Sequence, residues 1–133
     1  PDLPLIAGGK SFGGRMTSQA QSVRPLPRVA GLAFFGFPLH PAGKPSVSRA
    51  EHLDAIAVPM LFLQGTRDKL ADIALLEPVV RRLGPLATLH AIDQADHGFH
   101  VPARSGRNDQ AVITELTAAF AAWLDGVISA RES

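Results

Sequence analysis

Three residues stand where an alternating strand–helix chain would place a nucleophile, an orienting acid and a base. Ser11 lies in Gly9-Lys10-Ser11-Phe12-Gly13, a G-x-S-x-G between an apolar run and a helical pattern. A strand that turns sharply into a helix holds its serine in a strained backbone conformation, with Oγ projecting outward. Side chains two residues before and after would collide across the turn, so glycine is expected at both Gly9 and Gly13. The backbone N–H of Phe12, next after the serine, is the natural oxyanion donor. Asp68 ends Gln64-Gly65-Thr66-Arg67-Asp68 and His97 sits in Asp96-His97-Gly98. The order serine, aspartate, histidine is that of a nucleophile-elbow hydrolase, and each gap holds whole strand–helix units. In that chemistry Ser11 attacks an acyl carbon, His97 takes and returns the proton, and Asp68 holds the imidazole tautomer.

Competing assignments are weaker. Gly8-Gly9-Lys10-Ser11 ends like a phosphate-binding loop, but that loop needs a further glycine at position 4, where Pro4 stands. Asp93, Asp96, His97 and His100 fall in a glycine-containing loop, where the spacing does not turn both imidazoles to one side, so no metal and no cofactor are expected. Asp68 and Asp72 each could cap the helix that follows. His100 reads as a local contact and His52 as a packed or surface imidazole. His40, on a loop leaving the second strand at the Ser11 edge, and Lys10, inside the elbow, are candidates to line a substrate pocket, although Lys10 is expected to face water.

The elements that must position these residues follow from hydropathy. Apolar runs occupy residues 3–7, 29–35, 58–63 and 87–92. The first three lack alternation, as strands covered on both faces do. The fourth carries Thr88 and His90 and belongs nearer an edge. Helices are expected over 14–23, 48–56, 72–83 and 108–130. Ser48 with Glu51 reads as a capping box, Pro78 interrupts the third helix, and Gly84 ends it. Val112, Leu116, Phe120, Trp123 and Val127 form the stripe of the last. The alternation argues a three-layer α/β/α fold with a mostly parallel sheet and right-handed crossovers.

Composition narrows the class. In 133 residues, 46% hydrophobic and 19% charged, there is material for one buried core. The 13 basic and 12 acidic side chains leave a net charge of +1, with no basic stripe, so no nucleic-acid partner is expected. Cysteine is absent, which removes disulfides and thiolate chemistry. No uninterrupted apolar run reaches the roughly 20 residues of a membrane span, so no membrane partner is expected. The chain opens on Pro1 without a signal-peptide layout, and is expected to be the C-terminal portion, over residues 1–133, of one longer domain. A cytoplasmic location is the corresponding expectation.

Four stretches, GGKSFGGRM at 8–16, FFGFPLHPAGKP at 34–45, VPMLFLQGTRD at 58–68 and DHGFHVP at 96–102, resemble the testis-expressed protein 30-like group of α/β-hydrolases, which is dienelactone hydrolase-like. The resemblance covers essentially the whole chain. It implies a partial α/β-hydrolase fold lacking the N-terminal strands, with the first strand at an exposed edge and the second oxyanion donor on a loop outside this chain. It also implies a triad of Ser11, Asp68 and His97, with serine in place of the dienelactone hydrolases' cysteine. A small-molecule ester is the expected substrate. The alternative is a non-catalytic interaction or scaffold module on the same fold.

Overall fold

The computed structural model describes residues 5–132. Four strands, β1 (Leu5–Lys10), β2 (Val29–Phe35), β3 (Met60–Gly65) and β4 (Ala87–Ile92), form one sheet in the order β1-β2-β3-β4. Every neighbouring pair is parallel. Three α-helices connect or follow them: α1 (Phe12–Val23), α2 (Ile73–Leu83) and α3 (Asp109–Glu132). A 3₁₀ helix, Ser48–Ala55, follows β2.

The sheet is sandwiched because alternate residues of its inner strands feed two cores. On one face Leu32, Phe34, Met60 and Phe62 pack with Leu53 of the 3₁₀ helix and Leu76 and Val79 of α2. On the other face Ala33, Leu61 and Leu63 pack with Val112 of α3, and Leu116, Phe120 and Trp123 lie against them. β3 is buried along its whole length. β1 and β4 are the edges, and β1 is only half-buried, contrary to its reading as a strand covered on both faces. The first strand runs on to Lys10, beyond the end expected for it. Its glycines belong to the strand, because a Cβ on Gly8 would lie 2.1 Å from the Ala33 carbonyl oxygen. Residues 3 and 4 lie outside the described residues.

Helix ends follow local hydrogen bonding. Asp72 caps α2, with Oδ1 accepting from the Ala74 N–H at 2.9 Å. The helix runs through Pro78, which removes only the donor to the Ala74 carbonyl. Asn108 Oδ1 accepts from the Ala111 N–H at 2.8 Å at the start of α3. The expected capping box does not form: Ser48 is inside its helix, Val47 is the cap residue, and Ser46 Oγ accepts the Ser48 N–H at 3.1 Å. A second correction concerns α3. Its 23-residue stretch Asp109–Arg131 is long and apolar enough, by length and composition, to cross a membrane. Alanines spaced between few charges carry that hydropathy, so no single uninterrupted run revealed it. In this fold α3 lies across the sheet with Val112 and Val127 buried.

Candidate active site

β1 ends and α1 begins with a single residue between them. That residue, Ser11, has φ 53° and ψ −122°, outside the conformations a serine ordinarily adopts. Its N–H still donates to the Phe35 carbonyl at 3.0 Å, so β2 holds the elbow from below, and its own carbonyl accepts the Arg15 N–H at 3.2 Å. The crowding that shapes the elbow is not where the motif suggested. A Cβ on Gly9 would lie 2.8 Å from the Gly13 carbonyl carbon, and one on Gly14 would lie 2.7 Å from the Gly9 oxygen. Gly13 has open space around it. Gly9 and Gly14 are therefore the required pair, and Gly13 is not. Phe12 is the first residue of α1, where a backbone N–H has no intrahelical partner and can serve an anion.

The loops after β3 and β4 bring two side chains to this serine. Ser11 Oγ lies 2.7 Å from His97 Nε2. His97 Nδ1 lies 2.7 Å from Asp68 Oδ2. The Asp68 side chain is fully buried and that of His97 is 24% exposed, so the carboxylate is sealed and the imidazole partly open. Asp68 Oδ1 also accepts the Leu70 N–H at 2.7 Å. With Asp68 accepting at Oδ2, His97 carries its proton on Nδ1, which leaves Nε2 free to accept from Ser11.

Sequence reasoning missed Gln64, the last polar side chain of an otherwise apolar strand. It is fully buried. Its Nε2 donates to Asp68 Oδ2 at 2.7 Å and its Oε1 accepts the Phe37 N–H at 3.1 Å, tying the acid to the loop after β2. The available signal was a glutamine in a run that otherwise reads as buried. The His97 loop is shaped by Asp96, whose Oδ1 accepts the N–H groups of Gly98 and His100 at 3.0 and 2.9 Å. Gly36 takes φ +77°, in the left-handed region that favours glycine, where the loop after β2 passes the His97 imidazole.

His40 does not line a pocket. It is 2% exposed; Nδ1 is 2.8 Å from the Pro41 carbonyl, and Nε2 accepts the Asp72 N–H at 2.9 Å. The ring buttresses the β2 loop against the start of α2. Lys10 does border a cleft of about 320 Å³, shared with Phe35, Phe99 and Ile113 beside the His97 loop. The larger cavity, about 730 Å³, runs between α3 and β4 and touches none of Ser11, Asp68 and His97. His100 is exposed and only 3.4 Å from Asp109.

Below the elbow, on α1, Ser18 Oγ meets His52 Nε2 of the 3₁₀ helix at 2.7 Å. Burial pushes the His52 pKa down from 6.5, the Arg15 charge lowers it further, and the Arg49 carbonyl opposes both. At the far side of the sheet, burial pushes Glu115 up, but hydrogen bonds from His90 and Arg107, with their charges, leave it below the usual carboxylate value.

The comparisons agree with this geometry at the level of the fold. Residues 1–125 match the α/β-hydrolase domain family, and the chain belongs to that family. The esterase domain of a Rhodothermus marinus protein superposes with a TM-score of 0.62 at 19% identity, over 89% of this chain and 59% of that one. An α/β serine hydrolase without a lid from Xanthomonas campestris gives a TM-score of 0.60 at 20% identity, over 90% and 48%. An α/β serine hydrolase homologue from Coxiella burnetii gives 0.56 at 19%, over 71% and 41%. The chain therefore spans about half the length of these relatives.

Proposed function

We propose that this chain carries the catalytic triad of a serine hydrolase acting on carboxylic esters. The observation that supports it is the unbroken hydrogen-bonded line Ser11–His97–Asp68, with 2.7 Å at each step, starting from a strained serine at a strand–helix turn. Ser11 Oγ attacks the ester carbonyl as His97 Nε2 takes its proton. The Phe12 N–H receives the developing oxyanion, a contact whose loss costs about 2.7–4 kcal/mol in a comparable enzyme. The imidazolium forms against the buried Asp68 carboxylate, then protonates the departing alcohol, leaving an acyl-serine. Water, deprotonated by the same imidazole, releases the acid. No cofactor enters these steps. Within the family, the four stretches that include the elbow and DHGFHVP favour the testis-expressed protein 30-like group.

A burst experiment on the complete gene product tests this. A p-nitrophenyl ester should release p-nitrophenol in a rapid phase stoichiometric with protein, absent from Ser11→Ala. A folded protein that shows neither burst nor turnover with short and medium acyl chains contradicts the proposal and favours the interaction module.

A further inference from the structure

On the α3 side of the sheet, equivalent positions run in rows across β2, β3 and β4. One row is Ala33, Leu61 and Thr88, and the next is Phe35, Leu63 and His90. β2 and β3 are apolar there and pack under α3. β4 is polar at both places, and Thr88 is exposed. Across from it α3 presents Ala118, Ala122, Gly126 and Ala130, side chains too short to close the gap. The result is the cavity of about 730 Å³, with Leu61 and Trp123 in its lining. It follows α3 from Glu115 to Ala130, about 22 Å at 1.5 Å per residue. Spread over that length, the volume corresponds to a cross-section of about 33 Å², too narrow for an α-helix 10–12 Å across but wide enough for one hydrocarbon chain. Polar groups gather toward one end. His90 Nε2 lies 2.7 Å from Glu115 Oε2, and Arg107 donates to Glu115 Oε1. The other end, at Leu86 and Ala130, is apolar. An apolar slot with a few convergent polar groups is the usual form of a small-molecule site. Charges at the polar end cancel, because the Arg107 guanidinium is paired with the Glu115 carboxylate. A carboxylate head would meet Glu115 and an ammonium head would meet Arg107. An uncharged hydroxyl, which both donates and accepts, complements this end.

We infer that the slot between α3 and β4 binds a single-chain amphiphile with an uncharged hydroxyl head, its chain lying along α3 and its head at Thr88, His90 and Glu115. The inference is independent of the hydrolase reading, because none of Ser11, Asp68 and His97 lines the slot.

Calorimetric titration of the complete gene product with 1-decanol, with decanoate and with decyltrimethylammonium tests it. Decanol should bind, and more tightly than either ion. From hexanol to decanol, each added CH₂ should tighten binding about two- to fourfold, as burial of an alkyl chain does. Gly126→Leu puts a side chain where a Cβ has open space, so the helix is kept while the slot is filled. Decanol affinity should then fall at least fivefold with the melting transition held. Ala122→Phe, on the exposed rim, repeats the test should Gly126→Leu not fold. Ser11→Ala should bind as the wild type does. No binding to the wild type, or a fall of less than fivefold in the folded slot variant, overturns the site. Loss of binding in Ser11→Ala also overturns it, since the alcohol would then occupy the serine's site. Either ion binding as tightly as decanol overturns the assignment of the head. If the wild type is a dimer that the slot variant dissociates, the slot is a contact between copies and the inference fails.

Discussion

Gln64→Leu removes one side chain that acts in two places. The leucine fits a strand that is buried throughout, but it offers no donor to Asp68 Oδ2 and no acceptor to the Phe37 N–H. That N–H is bonded to Gln64 Oε1 at 3.1 Å in the native fold. Orphaning a buried donor costs about 1–3 kcal/mol, and a hydrogen bond to a charged group contributes about 1.5–3 kcal/mol. Gains from burying leucine offset part of this, so a net loss of about 2–4 kcal/mol is expected. At roughly 3–4 °C per kcal/mol for a domain of this size, the melting temperature should fall by about 6–16 °C. Asp68 keeps the Leu70 N–H at 2.7 Å and His97 at 2.7 Å, so the Ser11–His97–Asp68 line is loosened rather than dismantled. If the lost bond acts fully on the imidazolium-bearing transition state, kcat drops by about 10- to 100-fold. Melting curves and p-nitrophenyl ester turnover, measured on the complete gene product below its melting transition, read both effects. A folded Gln64→Leu protein with kcat within twofold of wild type refutes the positioning role.

Three further outcomes follow from the same geometry. Gly9→Ala should unfold or distort the elbow, because its Cβ meets backbone at 2.8 Å, whereas Gly13→Ala has open space and should hold or raise stability by up to about 1 kcal/mol through helix propensity; denaturant midpoints compare them. His40→Leu should destabilise by about 1–3 kcal/mol by leaving the Asp72 N–H without its acceptor, seen as a lower urea midpoint. His52 has its folded pKa depressed below 6.5, by burial first and by Arg15 second. The unfolded chain therefore binds its proton first as pH falls, so this group's contribution is complete above 6.5 and is lost as pH falls from there through the folded pKa. Urea midpoints against pH should show that slope, and His52→Gln should flatten it.

The fold was legible because its inner strands are apolar and its helices obey their own signals. β4 lies over the residues expected, and Asp72 and Gly84 bound α2 as their chemistry requires. The meeting of Ser11, Asp68 and His97 was legible for a similar reason: each follows a strand, so topology delivers all three to one edge. What failed depended on contacts that the motifs do not encode, some of them between distant segments. His40 looked like a pocket residue because its loop was at the right edge, but its ring turns inward to an N–H 32 residues later. Gly13 carried the motif while Gly14 carried the sterics, a difference set by the helix packing back on β1. Gln64 stood out only as a glutamine in an apolar run, which says nothing of what lies beside it. Ser48 and Glu51 had the spacing of a capping box, but Ser46 took the Ser48 N–H first.

The central claim is that Ser11 is an activated nucleophile. A fluorophosphonate probe applied to the complete gene product, with the adduct located by mass spectrometry, tests it most directly. The expected result is a single adduct on Ser11 that disappears in His97→Ala and on prior denaturation. A folded protein that takes no label, or takes it on another residue with equal rate in His97→Ala, contradicts the account.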